Sequence, residues 1–268
     1  MKDNFIHVAF VIDESGSMSG SENDIIGGFN KMIEEQKAIE NGKCAVSFFS
    51  FNDSVKVRFI GKDVNEVENL SAGYASSELA CLTTSLFCNS ISGGGNIYIN
   101  TSREKTYEDN TYRYIPSGLT AMNDGIGSAI DKIGEWLCHM PEEERPSKNL
   151  IVIMTDGEEN NSKDYTLSKV QEMIKHQTDV YNWTFVYMGM DITNKKTADD
   201  LGISNRSFSA KRSDTLYKNY SNISSSASQY RCCCSDPLSA AVTMDCYLNA
   251  ELAKDTALYE NELGIKID

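Results

Sequence analysis

The sequence lacks several features that would assign it at once to a class of protein. No run of uninterrupted apolar residues approaches the roughly 18–20 that a membrane helix needs, and no GxxxxGK[ST] loop is present to hold nucleotide phosphates. Only three histidines occur among the 268 residues. The sequence therefore predicts neither a membrane-spanning protein nor a P-loop nucleotide-binding protein.

Positive charge is also scarce. There are 25 Lys and Arg residues against 39 Asp and Glu, which gives a formal net charge of −14 at pH 7. Such a surface repels nucleic acid and anionic membranes at long range. We therefore expect no nucleic-acid partner and no membrane partner, and we exclude a general polyanion binder.

The eight cysteines give little support for disulfides in a chain of this length. Cys44 and Cys138 lie in apolar patterns and are expected to be small core residues. The three consecutive cysteines at 232–234 lack the paired CxxC spacing of a structural zinc site. The residues before the first strand do not form a secretory signal, so the prediction is a cytoplasmic protein with reduced thiols.

Hydrophobic periodicity predicts an α/β fold. Nearly continuous apolar runs at 5–12 and 149–154 are typical of strands buried on both faces. Further strands are predicted at 43–51, 55–60, 180–188 and 206–209. Helical spacing occurs at 24–39, 120–137, 167–176 and 193–201, and residues 213–226 fit a polar helix or a loop. The alternation predicts a doubly wound, mostly parallel central sheet with one antiparallel edge strand and helices on both faces.

Oxygen-bearing side chains follow the predicted strands at the points where ligands bind in such sheets. Asp13, Ser15 and Ser17 come directly after the first strand, Asp156 follows a central strand, and Thr120 precedes a helix. A carboxylate at the end of a buried strand is costly unless it is paired or bound to a cation. Oxygen ligands suit a hard divalent ion, so the sequence predicts a Mg²⁺ (or Mn²⁺) site.

The charge of this set suggests what the ion would do. Asp13 and Asp156 together carry −2, which balances a divalent cation, and the three hydroxyls add no charge. One coordination position can then remain for an outside group. The hypothesis is a protein partner that presents an Asp or Glu carboxylate to the ion.

These residues resemble the von Willebrand factor type A (VWA) domain family and its metal-ion-dependent adhesion site (MIDAS), whose signature is DxSxS, a distant Thr and a later Asp. The resemblance covers roughly residues 5–210. It implies direct coordination by Ser15, Ser17 and often Thr120, with Asp13 and Asp156 commonly acting through water. It also implies protein–protein binding rather than catalysis. The segment 186–203 looks similar to intracellular microbial and phage-like members.

Two segments depart from the family pattern. Residues 71–112 are rich in Ser, Thr, Asn and Gly, contain one short strand-like run at 96–100, and are interpreted as an inserted loop region. Residues 238–263 carry leucines at spacings that fit a helix. The predicted organisation is a VWA-like domain over 1–231, with that insertion, and a C-terminal helical extension over 232–268.

Enzymatic alternatives find little support in the sequence. Ser15 lacks the glycine two residues before it that a nucleophile elbow requires, and no histidine is placed as an obvious base. An aspartyl phosphotransferase would usually have a second Asp at position 15. We expect no enzymatic activity, a solvent-facing Glu14, and a solvated loop at Glu158 and Glu159.

Two non-enzymatic functions remain open. In the first, the chain is a metal-dependent protein-binding module. In the second, it is a structural or assembly component, of a cellular complex or a phage particle, in which the metal is a passive staple. Self-assembly is compatible with both.

Overall fold

A computed structural model describes residues 2–73, 110–156, 159–189, 195–203, 207–209 and 213–232. The strands are β1 (Lys2–Asp13), β2 (Lys43–Phe51), β3 (Val55–Asp63), β4 (Ser71–Ala72), β5 (Arg113–Tyr114), β6 (Pro146–Thr155), β7 (Thr184–Gly189) and β8 (Ser207–Ser209). The α-helices are α1 (Glu22–Lys37), α2 (Met122–Cys138), α3 (Leu167–Tyr181), α4 (Lys195–Asp200) and α5 (Ser213–Cys232).

Six of the strands form one sheet in the order β3-β2-β1-β6-β7-β8. All neighbouring pairs are parallel except β2 and β3, which form an antiparallel hairpin at one edge. The predicted fold class is therefore confirmed. Asp13 at the end of β1 pairs with Phe51, and Thr155 at the end of β6 pairs with Gly189. This register brings the carboxyl ends of four parallel strands to the same edge of the sheet.

The core lies on both faces of the sheet because the central strands are apolar at nearly every position. On β1, Phe10 and Ile12 face the side covered by α1 and α5, whereas Ala9 and Val11 face the side covered by α2 and α3. All four side chains are fully buried. A strand that must bury alternate residues on opposite faces has no polar side, which explains the continuous apolar run.

Helix α5 packs unusually close to α1. A Cβ added to Gly28 of α1 would lie 1.9 Å from the ring of Tyr220, a fully buried residue of α5. Tyr220 donates its hydroxyl hydrogen bond to Met154 Sδ at 3.1 Å. The segment predicted as a polar helix or a loop is thus a helix, and it extends to Cys232.

A buried arginine near the end of α5 holds the C-terminal end of α1. The guanidinium of Arg231 donates to the carbonyl oxygens of Gln36, Ile39 and Gly42 at 2.7, 3.2 and 3.1 Å. Carbonyls at a helix C-terminus lack partners within the helix. Arg231 therefore belongs to the core of the main domain.

The two ends of the predicted insertion lie side by side. Ser71 pairs with Arg113 and Ala72 pairs with Tyr114 in a two-stranded parallel sheet. Residues 74–109, including the strand predicted at 96–100, lie outside the described residues, as do the helix predicted at 238–263 and the last two cysteines of the 232–234 run. The domain boundaries stay a prediction.

The two cysteines with apolar neighbours have different environments. Cys44 is buried as predicted, but Cys138 is exposed, so the prediction for Cys138 is wrong. The buried face of α2 ends at Ile133, and Cys138 is the last residue of that helix, beyond the part that covers the sheet. Within the described ranges, no helix combines the length and apolarity needed to cross a membrane.

A histidine occupies the middle of the core. His7 on β1 is fully buried, with Nδ1 3.0 Å from Asn149 Oδ1 and Nε2 2.7 Å from Ser47 Oγ. Because Asn149 Oδ1 can only accept, Nδ1 carries the proton and Nε2 accepts from the serine hydroxyl. Burial lowers the pKa of His7 to about 4, and the hydrogen bond with Asn149 opposes that shift.

The contact between α1 and α5 predicts opposite effects for two adjacent glycines. Gly28→Ala should lower the free energy of unfolding by roughly 1–3 kcal/mol, because the new methyl group overlaps the Tyr220 ring. Gly27→Ala should raise it by up to about 1 kcal/mol, because nothing lies within 4 Å of the added Cβ and alanine favours the helix. Urea denaturation measures both, and effects of the same sign would contradict the packing.

The buried histidine predicts an acid-dependent loss of stability. The unfolded chain protonates His7 below its ordinary pKa of about 6.5, whereas the folded chain resists until about pH 4. Stability from the neutral ring is therefore complete above pH 6.5 and is lost as the pH falls. Between pH 7 and 4.5, the wild type should lose roughly 2 kcal/mol more than His7→Gln. The exposed control His176→Gln should follow the wild type, and an equal loss in all three proteins would refute the shift.

Candidate metal site

Four of the five predicted site residues form a continuous hydrogen-bonded cluster at the carboxyl edge of the sheet. The Ser15 N–H donates to Asp13 Oδ1 at 2.7 Å, and the hydroxyls of Ser15 and Ser17 are 3.0 Å apart. The Ser17 hydroxyl donates to Asp156 Oδ1 at 2.7 Å. The two carboxylates, which are 143 positions apart in the sequence, are thus linked through two serines.

The central member of this cluster is a carboxylate without solvent contact. Asp13 is 0% exposed, and its Oδ2 accepts a 2.6 Å hydrogen bond from the Thr155 hydroxyl. Its backbone carbonyl accepts a 2.6 Å bond from the hydroxyl of the buried Tyr114. Burial raises the pKa of Asp13, the hydrogen bonds from Thr155 and Ser15 oppose the rise, and the charge of Asp156 adds to it. A nearby cation would stabilise the ionised form.

The loop that carries the fifth predicted residue, Thr120, contacts the loop that follows β1 through backbone hydrogen bonds. The Ser117 N–H donates to the Glu14 carbonyl at 2.7 Å, and the Gly16 N–H donates to the Gly118 carbonyl at 3.0 Å. Thr120 is buried, at 3% exposure. The loop that follows β1 and the loop that precedes α2 therefore run against each other, and this contact brings Thr120 to the same edge as Asp13.

An asparagine that sequence reasoning missed fixes the position of Thr120. The Thr120 N–H donates to Asn160 Oδ1 at 2.9 Å. In return, the Thr120 carbonyl accepts from the N–H groups of Asn160 and Asn161 at 3.1 and 3.2 Å. The only signal in the sequence was its place four residues after Asp156, which is too weak to identify it without the fold.

Glu159 holds the start of α2, contrary to the prediction of a solvated loop. Its carboxylate accepts from the N–H of Asn123 at 2.8 Å and from the N–H and hydroxyl of Ser162, both at 2.7 Å. In the opposite direction, Asp124 accepts from the N–H groups of Asp164 and Tyr165 at 2.9 and 2.8 Å. A helix N-terminus has unpaired N–H groups and favours negative charge, which explains this arrangement. Glu158 lies outside the described residues.

Glu14 is also buried rather than solvent-facing, so that prediction is wrong. Its side chain is 0% exposed and accepts from Arg58 at 2.7 and 2.8 Å and from Lys56 Nζ at 2.8 Å. Both cations lie on β3, the edge strand of the hairpin. A buried carboxylate requires such partners. The ion pairs tie the loop that bears Ser15 to the sheet.

The donor set fits a hard divalent cation. It offers carboxylate and hydroxyl oxygens only, and Mg²⁺ prefers such ligands over nitrogen or sulfur. In the described part of the chain, no group of three or more His, Cys, Asp or Glu residues is arranged to hold a metal. A metal site here would therefore have two carboxylate ligands, and its other protein ligands would be hydroxyls.

The comparisons with known proteins rest on structure alone. No family model matches the sequence, and no curated protein matches it. Proximal thread matrix protein 1 from the mussel byssus, with a zinc-occupied MIDAS motif, aligns with a TM-score of 0.51 at 14% identity over 85% of this chain and 47% of that chain. The pilus adhesin SpaC from Lactobacillus rhamnosus GG, in an open conformation, aligns with a TM-score of 0.54 at 11% identity over 85% and 30%.

A third structure, a von Willebrand factor type A protein from Catenulispora acidiphila, aligns with a TM-score of 0.44 at 13% identity over 85% of this chain and 43% of that chain. The first two similarities show that the chain shares the fold of these proteins, and one of those structures holds zinc at its MIDAS motif. The chain spans less than half the length of each of these proteins.

The buried ion pair beneath the site predicts that a single substitution at Glu14 strongly lowers the free energy of unfolding. Glu14→Gln should lower the free energy of unfolding by about 3 kcal/mol, because it removes the negative charge from a buried ion pair with Arg58, whose side chain is only 9% exposed. The control Glu34→Gln changes a pair with Lys37 on α1 in which the Glu34 side chain is 56% exposed, and it should cost less than about 0.5 kcal/mol. Chemical denaturation compares the two variants, and equal small losses would contradict the burial of Glu14.

Proposed function

We propose that the chain is a metal-dependent protein-binding module. Asp13, Ser15, Ser17, Thr120 and Asp156 would hold one Mg²⁺ ion, and an Asp or Glu of a protein partner would complete its coordination. The observation that carries this proposal is the hydrogen-bonded chain that links the buried Asp13 to Asp156 through two serines. Two carboxylates brought together in this way need a positive charge between them.

The five residues would contribute to metal binding in two ways, according to their charge. The hydroxyls of Ser15, Ser17 and Thr120 are neutral ligands, and Asp13 and Asp156 supply the two negative charges. When bound, the cation would supply an electrophilic centre for an incoming carboxylate. The fold's own part is to hold the loops in place through Tyr114, Asn160 and the Glu14 ion pairs, so that little reorganisation accompanies binding.

The surroundings of the site support binding without turnover. Ser15 Oγ contacts another serine hydroxyl rather than a base. His7 is buried in the core, His139 caps the end of α2, and His176 lies within α3. We therefore propose that the site acts as a binding site rather than as the centre of a hydrolase. The cytoplasmic location and the similarity to phage-like proteins stay predictions.

A second candidate function is a structural component in which the cation is a passive staple. Tyr114, two residues after the 71–112 segment, donates to the Asp13 carbonyl, and the loop before Thr120 contacts the loop after Asp13. A cation bound here would tie three segments of the chain together. The two functions differ in what is lost when the cation is lost: partner binding in the first, and stability in the second.

The binding function predicts a joint loss of metal and ligand affinity. Asp13→Asn and Asp156→Asn should weaken Mg²⁺ binding on the order of 10–100-fold in calorimetry, because each removes one of the two charges that balance the ion. Both should also abolish the recovery of Asp- or Glu-containing sequences from a library of displayed random peptides, selected in Mg²⁺ and eluted with EDTA. Asp179→Asn, at an exposed pair on α3, is the matched control and should behave as the wild type.

Three other results are possible in that experiment. If the wild type yields no EDTA-eluted acidic peptides but Mg²⁺ strongly raises its melting temperature, the staple function is supported instead. If neither Mg²⁺ nor Mn²⁺ binds, both functions fail. Turnover of a generic ester or phosphate substrate that is lost in Asp13→Asn would contradict the non-enzymatic proposal.

A further inference from the structure

A leucine stands exposed on the rim of the candidate metal site. Leu119 directly precedes Thr120 in the sequence, and its exposure to solvent is 50%. The polar residues Ser17, Ser117 and Asn160, in the loops at the same edge of the sheet, are exposed as well. Leu119 therefore adds an apolar side chain to these polar ones.

The backbone on both sides of this leucine is fixed. The Leu119 N–H donates to Asp53 Oδ1 at 3.1 Å, and the Gly118 carbonyl accepts from the Gly16 N–H at 3.0 Å. Gly118 has a φ of +79°, and a Cβ there would lie 1.9 Å from Asp53 Oδ2, so only glycine fits. Thr120, on the other side, is bonded through both its N–H and its carbonyl.

This arrangement exposes the Leu119 side chain on a backbone that is held in one position. Contacts made by rigid segments cost less conformational entropy than contacts made by mobile loops. An exposed leucine on a flexible loop would be unremarkable on any protein surface, but this one stands on a clamped turn next to a predicted metal ligand. Its place in the sequence next to Thr120 puts it beside the candidate site.

We infer that Leu119 is a specificity contact, and that the partner presents an acidic residue with an apolar side chain one or two positions away. The inference rests on the proposed function, which supplies the acidic residue. An extended chain advances about 3.3–3.6 Å per residue. The residues that flank an ion-bound carboxylate would therefore lie a few ångströms from the ion, within reach of a side chain next to a ligand, and Leu119 directly precedes Thr120.

The charge of the protein favours apolar rather than acidic flanks. The ion with one bound carboxylate leaves no positive charge to attract a second acid. Asp53 and Glu159 lie in the loops around the site, and the chain carries a net charge of −14. A partner segment with a run of acidic residues would be repelled, whereas one acid with an apolar neighbour would satisfy the ion and cover Leu119.

Selection from displayed random peptides tests this pattern. The wild type, Leu119→Ser and Val180→Ser are each used to select peptides in Mg²⁺, which are then eluted with EDTA and sequenced. Val180 is 56% exposed near the end of α3, shortly before β7 begins, and so lies towards the opposite edge of the sheet. Calorimetry with Mg²⁺ and thermal melting show whether each variant keeps its fold and its metal affinity.

We expect that Leu119→Ser loses the apolar half of the recognised peptide pattern and keeps the acidic half. Peptides from the wild type and Val180→Ser should pair an Asp or Glu with a nearby apolar residue. Peptides from Leu119→Ser should keep the acidic residue and lose the apolar preference. A peptide selected on the wild type should bind Leu119→Ser about tenfold more weakly in fluorescence anisotropy, and Leu119→Met should restore most of the affinity.

The remaining outcomes separate the inference from the proposed function. Acidic peptides without apolar neighbours, or the same preference in Leu119→Ser, would overturn the inference and leave the proposed function intact. A fall in Mg²⁺ affinity in Leu119→Ser would show that the leucine supports the site instead of contacting the partner, and would also overturn it. The absence of EDTA-eluted acidic peptides from the wild type would refute the proposed function itself.

Discussion

The carboxylate of Asp13 lies at the end of the central strand with no exposure to solvent, and the surrounding structure is organised around that buried charge. An ionised carboxylate is expensive to bury unless hydrogen bonds or positive charge compensate it. Thr155 and Ser15 supply hydrogen bonds, but Asp156 brings a second negative charge into the same cluster. A divalent cation would answer this imbalance, since it would add the positive charge that the hydrogen bonds cannot supply.

The loops around Asp13 are held by contacts that do not use the predicted ligands. Glu14 is paired with cations of the hairpin, Asn160 brackets Thr120, and Glu159 binds the start of α2. These contacts hold the backbone of the loops that carry Ser15, Ser17 and Thr120. The loops are held in place by one set of residues, and the oxygen ligands belong to another. A binding site that discriminates between partners with little rearrangement needs this division.

The sheet and the residues of the motif were accessible from sequence because their signals are local. Buried strands have continuous apolar runs, and DxSxS is read directly from five consecutive positions. The roles of Glu14 and Glu159 could not be predicted, because the partners of both residues are distant in the sequence. Arg58 lies 44 positions from Glu14, and Asn123 lies 36 positions from Glu159. A single sequence shows a charged residue after a strand but not the opposite charge that the fold brings to it.

Crystallographic anomalous scattering from Mn²⁺-soaked crystals tests the central claim most directly. A shared site predicts one strong anomalous peak within about 2.5 Å of the hydroxyl oxygens of Ser15 and Ser17, with Asp13, Thr120 and Asp156 around it. The same peak should be absent from crystals of Asp13→Asn. Strong Mn²⁺ peaks elsewhere in the wild-type crystal, with none among these five residues, would contradict the account.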